Sequence, residues 1–171
     1  MKKILIVYYS RKGENYCGGG LKNLPKGNTE IAAEFIQKAV GGDLFEVDTV
    51  KSYSDSYTKC TEEAKEELHN NARPQLRELL TSIDEYDTVF VGYPNWWGTM
   101  PMAMFTFLEH YDFGGKTIIP FCTNEGSGMG SSQRDLKKVC GSAQIKTGLA
   151  IRGSETAKSE SKISDWAKMS V

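Results

Sequence analysis

The 171-residue sequence carries almost no net charge, because 21 lysines and arginines balance 22 aspartates and glutamates to a net charge of −1. A chain without a basic field cannot hold polyanionic nucleic acid through counterion release, so nucleic acid is not an expected partner. Long hydrophobic runs are also missing: the longest apolar stretches reach about six residues, against about twenty for a membrane-spanning helix. Residues 4–9 form too short an apolar segment for a secretory leader. These absences predict a cytoplasmic protein without a membrane partner.

Recognisable metal, disulfide and nucleotide triphosphate motifs are missing as well. The four cysteines lie far apart, and only two histidines could join them as ligands, so we expect neither a zinc site nor a disulfide framework. The Gly-x-x-x-x-Gly-Lys-Ser pattern does not occur, which argues against a P-loop nucleotide triphosphatase. The glutamate pairs at 62–63 and 66–67 alternate with lysines, which is typical of a solvated helix face. We therefore predict no metal site and assign no catalytic side chain.

Five short apolar runs, separated by helical patterns, make up most of the sequence. The runs occupy residues 4–9, 43–50, 88–92, 117–121 and 144–150. The first and third are continuous rather than alternating, as expected of strands that are covered on both faces in a parallel sheet. Helical patterns span residues 28–39, with Asn28 as the expected N-cap, 61–71, a segment after Pro101, 132–139 and 160–169. Length and pattern predict one open α/β domain over residues 1–171, with right-handed crossovers.

Three loops that follow predicted strands are rich in small, polar or aromatic residues: 10–29, 94–101 and 123–130. In parallel sheets, ligands bind outside the carboxyl ends of the strands. Ser10 and Thr29 offer hydroxyl groups, and the positive end of the helix that begins at residue 28 favours an anion. This pattern is consistent with a phosphate site. It is equally consistent with a helix N-terminus at which Asn28 and Thr29 satisfy their own backbone.

The first of these loops, with Ser10-Arg11-Lys12-Gly13 on one side and Gly27-Asn28-Thr29 on the other, resembles the phosphate loop of flavodoxins split by an insertion. Residues 94–98, Pro-Asn-Trp-Trp-Gly, resemble the second loop of the family, and residues 123–130 stand where its third loop is expected. The resemblance covers essentially the whole chain. It implies a flavodoxin-like open five-stranded parallel sheet in the order 2-1-3-4-5, with helices on both faces, and FMN as the cofactor.

The resemblance also implies which residues contact FMN. We expect Ser10, Arg11, Asn28 and Thr29 at the phosphate, Pro94, Asn95, Trp96, Trp97 and Gly98 along the ring, and Thr123, Glu125, Gly126 and Gly128 at its polar edge. One tryptophan is expected to stack on the flavin and the other to pack beneath the loop. Gly98 has no Cβ, which makes the Trp97–Gly98 peptide the candidate partner of the flavin N5. Alternatively, residues 123–130 are only a glycine-rich turn that caps the next helix.

Two functions follow from this interpretation. The first is a flavodoxin-type electron-transfer protein that serves redox partner proteins, as a monomer or weak homodimer. The second is an FMN-dependent NAD(P)H oxidoreductase that acts on a quinone or similar small-molecule acceptor. The third loop has no aromatic residue to cover the second face of the ring, although Met129 could cover it in part, and the chain lacks the acidic field that steers flavodoxins to basic partners. Both features favour the oxidoreductase, but the electron carrier remains our first prediction.

Two further questions stay open at the level of sequence. A flavodoxin-like domain that has lost its cofactor and serves as a binding module is the third alternative. The inserted segment, residues 13–27, has no assigned role: it could fold over the phosphate, guide a partner or form a mobile loop.

Overall fold

A parallel β-sheet runs through the centre of the molecule in the computed structural model, which describes residues 2–171. The strands among these residues are β1 (Ile4–Tyr8), β2 (Gly13–Cys17), β3 (Gly20–Leu24), β4 (Asp43–Glu46), β5 (Thr88–Pro94), β6 (Thr117–Asn124), β7 (Gln144–Ile145) and β8 (Leu149–Arg152). The α-helices are α1 (Asn28–Val40), α2 (Tyr57–His69), α3 (Met102–His110), α4 (Ser132–Val139) and α5 (Glu160–Ser170), and a 3-10 helix spans Gly153–Lys158. No helix in this part of the chain is both long and apolar enough to cross a membrane.

The central sheet has the spatial order β4-β1-β5-β6, and both β7 and β8 continue it by pairing with β6. Every pairing in this sheet is parallel. When the five predicted strands are numbered along the chain, this is the predicted order 2-1-3-4-5, so the fold class is confirmed. Because parallel strands end at the same edge, the loops that follow β1, β5 and β6 meet there.

The predicted fifth strand over residues 144–150 is in fact two short strands, β7 and β8. Lys146 donates its N–H to the carbonyl of Ile118 at 2.9 Å, so the backbone groups of Ile118 face this edge of β6. The backbone groups of Pro120, two residues further on, face the same edge of β6. Proline has no N–H to donate to a neighbouring strand. The ladder is interrupted at this point and resumes where Phe121 pairs with Leu149.

Two hydrophobic cores lie on opposite faces of the sheet, and β1 contributes to both. Leu5 and Val7 are buried in the core that α3 and α4 cover, whereas Ile6 and Tyr8 are buried in the core that α1 and α5 cover. This alternation explains why the run is apolar throughout, since successive side chains of a strand point to opposite faces. The prediction of helices on both faces is confirmed.

Distant residues satisfy backbone N–H groups in the first turns of two helices. The N-cap of α1 is Gly27 rather than the predicted Asn28, and the hydroxyl of Ser10 accepts the N–H of Glu30 at 3.1 Å. Helix α2 begins at Tyr57, four residues before the predicted start. The Glu14 carboxylate accepts the N–H of Tyr57 at 2.8 Å and so satisfies a free donor of the first turn.

The inserted segment forms an antiparallel β-hairpin of β2 and β3, in which Tyr16 pairs with Leu21. Gly18 and Gly19 make its turn with φ angles of 65° and 87°. Two successive positive φ angles are those of a type I′ turn, whose twist matches that of the two strands it joins. Two glycines adopt this conformation without steric cost, which is why the insertion folds back on itself here.

Candidate functional site

A groove lies at the carboxyl edge of the sheet and consists of two adjoining cavities of about 250 Å³ and 260 Å³. The cavities share four lining residues, Arg11, Tyr57, Asn95 and Trp96. The first is also lined by Asn15, Tyr16, Asn28, Thr29, Pro94, Thr123, Asn124, Glu125, Ser127 and Gly153, and the second by Cys60, Thr61, Ala64 and Trp97. The structure therefore brings together nine of the thirteen predicted site residues, from all three loops.

The other four predicted residues, Ser10, Gly98, Gly126 and Gly128, do not line either cavity. The sequence analysis did not predict any of the lining residues that the hairpin and α2 add, Asn15, Tyr16 and Tyr57 in particular. The sequence shows tyrosines in two segments, one inside the first loop and one before the second helical pattern. Nothing in a local pattern shows that these segments fold against the same groove, because their contacts are long-range.

One end of the groove is the N-terminus of α1. Gly27 is needed here, because a Cβ at this position would lie 2.1 Å from Ser10 Oγ and 2.7 Å from the carbonyl oxygen of Arg11. The first backbone N–H groups of a helix have no partner within the helix, and the helix dipole adds positive potential. The hydroxyl of Thr29 is buried and bonded to that of Thr123 at 2.8 Å, so it joins α1 to β6 instead of facing the groove.

Arg11 is the only lysine or arginine among the residues that line the two cavities. Its guanidinium donates to the carbonyl oxygens of Glu14, Ser54 and Asp55 at 3.0 to 3.1 Å. These bonds tie the start of the hairpin to the segment that precedes α2. Arg11, which is predicted to contact the phosphate, thus also holds the hairpin and the segment before α2 together.

Glu125, which is predicted at the polar edge of the ring, also connects two elements of the fold. Its carboxylate accepts the N–H of Gly18 at 3.3 Å, and the N–H and hydroxyl of Ser154 at 2.8 and 3.2 Å. It therefore connects the hairpin turn to the 3-10 helix. A Cβ at Gly153 would approach Glu125 Oε1 to 2.8 Å, so a glycine is needed for this contact.

The second loop contains a tight turn over residues 96–99. Trp96 and Thr99 exchange backbone hydrogen bonds of 2.9 and 3.3 Å across it. Trp97 and Gly98 occupy the central positions with φ angles of 55° and 85°, which are those of a type I′ turn. A positive φ is unfavourable for a residue as bulky as tryptophan, and such strain is concentrated at functional sites.

The two tryptophans have different surroundings. Trp96 is half-buried and makes edge contacts with the rings of Tyr9 and Tyr53, each with centroids 5.1 Å apart. Trp97 is 52% exposed; its indole N–H donates to the carbonyl of Thr61 at 2.8 Å, and Lys65 Nζ lies 5.1 Å from the centre of its ring. Trp96 lines both cavities and Trp97 lines the second, so both indoles face the groove.

Asn95 fixes the second loop against the third. Its Oδ1 accepts the N–H of Gly98 at 2.9 Å, and its Nδ2 donates to the carbonyl of Gly128 at 2.9 Å. The N–H of the predicted Trp97–Gly98 peptide is thus already bonded, and any reorientation of this peptide has to exchange that bond. Gly98 also accepts the N–H of Ser131 at 2.6 Å, and a Cβ on Gly130 would lie 2.3 Å from the Gly98 oxygen.

We expect the Asn95→Ala variant to lose about 2 kcal/mol of unfolding free energy, because two hydrogen bonds of about 1 kcal/mol each are removed. Urea unfolding of the variant measures this loss. Asn23→Ala is the matched control, since Asn23 is exposed on β3, and it should change stability by less than about 0.5 kcal/mol. Equal stability of the two variants would contradict the role assigned to Asn95.

The third loop satisfies much of its own backbone. Asn124 Oδ1 accepts the N–H groups of Gly126 and Gly128 at 2.9 and 3.1 Å. The N–H groups of Gly126 and Gly128, which are predicted to donate to the polar edge of the flavin ring, are therefore already bonded within the loop. Met129 packs against the core beneath, and its Cε would lie 2.6 Å from a Cβ on Gly148. It lines neither cavity, contrary to the expectation that it covers part of a flavin face.

Three ionisable groups near Trp96, the thiol of Cys60 and the hydroxyls of Tyr9 and Tyr53, are protonated at neutral pH. Burial raises the pKa of the Cys60 thiol to about 11 and raises the pKa of the Tyr9 hydroxyl well above its ordinary value. Burial also raises the pKa of Tyr53, whose hydroxyl donates to Glu67 at 2.6 Å. An aromatic wall with protonated neighbours favours a flat, apolar ring, because these three groups carry no charge that has to be desolvated.

A parallel sheet in this order, with a groove between three loops at its carboxyl edge, defines a flavodoxin-like flavoprotein fold. The family model described as flavodoxin matches residues 24–169, and the chain belongs to this family. The match begins at the last residue of β3, so most of the hairpin lies outside it. A search of curated proteins finds no match.

Solved structures include several that are similar over almost the entire chain. One, named as a "putative flavoprotein" from Bacteroides eggerthii DSM 20697, is 30% identical, with a TM-score of 0.79 over 99% of this chain and 98% of its own. Another of the same description, from Bacteroides uniformis ATCC 8492, is 27% identical, with a TM-score of 0.77 over 98% of both chains. A flavoprotein from Lactobacillus acidophilus NCFM in complex with FMN shares the fold at 21% identity, with a TM-score of 0.64 over 92% of this chain and 98% of its own.

Proposed function

We propose that the groove binds FMN and that the protein is a flavodoxin-type electron carrier. The observation that carries this proposal is the groove itself, which runs from the N-terminus of α1 to two tryptophans. Membership of the flavodoxin family and the FMN complex of a protein with the same fold support the choice of this cofactor.

The residues present fit FMN at both ends. At the phosphate end, Asn28 and the free N–H groups of the α1 N-terminus provide donors, and Arg11 adds the one positive charge of the lining. The negative charge of Glu125 is already compensated by three donors. At the ring end, Trp96 offers an aromatic side chain that is held by T-shaped contacts with Tyr9 and Tyr53.

Bound FMN supplies the redox chemistry, and the protein supplies binding, orientation and electrostatics. The side chains that line the groove carry out distinct parts of this task. Trp96 and Trp97 exclude water from the ring, the N-terminus of α1 fixes the phosphate, and Asn95 holds the loop that carries both tryptophans against the third loop.

Titration of FMN with the purified protein, followed by flavin fluorescence, tests this proposal. We expect quenching at a ratio of one to one in the micromolar range, because an indole stacked on the ring quenches its emission. In the Trp96→Leu variant the Kd should rise about fivefold, since an aromatic pair contributes about 1 kcal/mol beyond its buried area. Trp166→Leu is the matched control, because Trp166 is also half-buried but packs on Phe90 in the other core.

Two outcomes would contradict the proposal. The first is the absence of quenching by the unaltered protein at micromolar concentration. The second is an equal loss of affinity in the Trp96 and Trp166 variants, which would mean that general destabilisation, and not a ring contact, controls binding. Circular dichroism of each variant verifies that it is folded.

The third loop favours a second candidate function, that of an FMN-dependent NAD(P)H oxidoreductase. This loop contains no aromatic residue, and Met129 packs into the core beneath it. If no other side chain covers the ring face that this loop leaves open, a nicotinamide can reach it. Anaerobic addition of NADH or NADPH to the FMN-loaded protein separates the two functions: rapid bleaching without a partner protein supports the oxidoreductase, and unchanged absorbance supports the carrier.

A further inference from the structure

The β2–β3 hairpin is fastened over the groove at its base and at its tip. At the base, the Glu14 carboxylate accepts the N–H of Tyr57, and Arg11 donates to the carbonyl of Glu14 at 3.0 Å. At the tip, the N–H of Gly18 donates to Glu125, which is 107 residues away in the sequence. The insertion is therefore tied to α2 on one side and to the third loop on the other.

Between these two attachments, the hairpin directs Tyr16 toward the groove. Tyr16 lines the first cavity together with Trp96, and its ring stacks on that of Tyr57, with centroids 6.4 Å apart and planes inclined by 29°. Nearly half of the Tyr16 side chain, 46%, is exposed. An aromatic ring that is backed by a second ring and open on the groove side presents a surface on which a flat ligand can stack.

The third loop offers no such surface, since residues 123–130 contain no aromatic side chain and Met129 does not line the groove. We propose that Tyr16, supported by Tyr57, is the second aromatic contact of the FMN site, and that the inserted hairpin supplies it in place of the third loop. This inference rests on the proposed FMN function. It assigns the insertion a role in cofactor retention.

The hairpin offers a matched comparison for this test. Leu21 pairs directly with Tyr16 on the outer strand, is 54% exposed, and lines neither cavity. The Leu21→Ala variant therefore alters the same cross-strand pair without touching the groove. Tyr16→Phe keeps the ring, and Tyr16→Leu keeps an apolar side chain on the strand but removes the aromatic surface. None of these changes removes the attachments through Glu14 and Gly18.

The experiment measures the Kd of FMN by fluorescence and the rate of FMN release after dilution. We expect Tyr16→Leu to raise the Kd about tenfold, mainly through faster release, whereas Tyr16→Phe and Leu21→Ala stay within about twofold of the unaltered protein. Hydrogen exchange of the hairpin amides shows whether it stays folded in each variant. Fast exchange confined to Tyr16→Leu would mean that loss of the hairpin, not of the ring, causes the effect, and would overturn the assignment.

The outcomes separate this inference from the function on which it rests. If the unaltered protein does not bind FMN, the proposed function fails and the role of Tyr16 fails with it. If the unaltered protein binds FMN and Tyr16→Leu binds it equally well, only the role of Tyr16 is wrong. Binding that weakens in Tyr16→Leu and recovers in Tyr16→Phe supports the assignment.

Discussion

The Gly92→Ala variant is expected to lose about 3 kcal/mol of unfolding free energy, the upper end of what overpacking in a core costs. Gly92 lies in β5, next to Phe121 of β6 in the sheet. A Cβ at this position would lie 2.1 Å from Phe121 Cζ and 2.4 and 2.7 Å from two further ring atoms. The ring is fully buried, so it cannot move aside without displacing the core that α1 and α5 cover.

Two further variants make this prediction specific. Gly20→Ala introduces the same methyl group on β3, where nothing lies within 4 Å, and it should leave stability unchanged within about 0.5 kcal/mol. The double variant Gly92→Ala/Phe121→Leu removes the ring that the methyl group meets. It should lose less than the sum of the two single variants, because the two sites are in contact. Strict additivity in urea unfolding would refute the clash.

The same substitution should also weaken the binding of FMN. Both strands lead directly into the groove: Pro94, two residues after Gly92, and Thr123, two residues after Phe121, line the first cavity. A shift of either strand therefore moves the loop that follows it. Fluorescence titration of the folded fraction of Gly92→Ala measures this second effect.

The second large effect concerns alkaline pH: the protein should lose stability steeply above about pH 9 and unfold by about pH 11. Five of the buried groups with raised pKa values are sufficient to produce this loss. Burial raises the pKa of Cys60 to about 11, and those of Cys122 and Cys140 to about 12. It also raises the pKa values of Tyr9 and Tyr93 far above the ordinary tyrosine value.

The sign of this effect follows from the direction of the pKa shifts. Above about pH 8.5 the thiols of the unfolded chain release their protons, and above about pH 10 its tyrosines do so, while the folded protein keeps them. The unfolded state then binds fewer protons, so the free energy of unfolding falls by about 1.4 kcal/mol per pH unit for each group. Below pH 8 both states are protonated at these groups, and they make no contribution to the pH dependence.

Urea unfolding between pH 7 and pH 11 measures this slope. Cys122→Ala removes one of the five groups and should reduce the loss between pH 9 and pH 11 by about 1.4 kcal/mol per pH unit. Leu136→Ala is the control, since Leu136 is equally buried but does not titrate. It should lower stability at every pH and leave the slope unchanged. An unfolding free energy that stays constant up to pH 11 would show that the buried groups ionise without unfolding.

Local sequence patterns were sufficient to predict most strands of the sheet and the edge of the sheet at which the groove lies. The apolar runs at 88–92 and 117–121 lie within β5 and β6, and the pattern at 132–139 coincides with α4. These features depend on neighbouring residues and on the periodicity of burial, both of which can be read along the chain. The convergence of three loops at one edge then follows from parallel pairing, which is why Trp96 and Asn28 could be assigned to one site.

Other features depend on partners that are far apart in the sequence. Glu14, 43 residues from Tyr57, satisfies a free N–H at the start of α2, and Pro120 on the neighbouring strand interrupts the last strand. Each of these outcomes depends on which group pairs with a backbone N–H or carbonyl. That pairing is known only when the chain is folded.

The sequence by itself determined the α/β class and the edge at which the groove lies, because hydrophobic periodicity and right-handed connections leave few alternatives. The order of the strands followed from the resemblance of the three loops to those of flavodoxins. Only the tertiary structure decided how the groove is closed. The insertion had no periodic pattern long enough to define its role, and its position over the groove depends on the contacts of Glu14 and Gly18 with distant elements. Long-range hydrogen bonds of this kind turn a glycine-rich interruption of the phosphate loop into a wall of the candidate site.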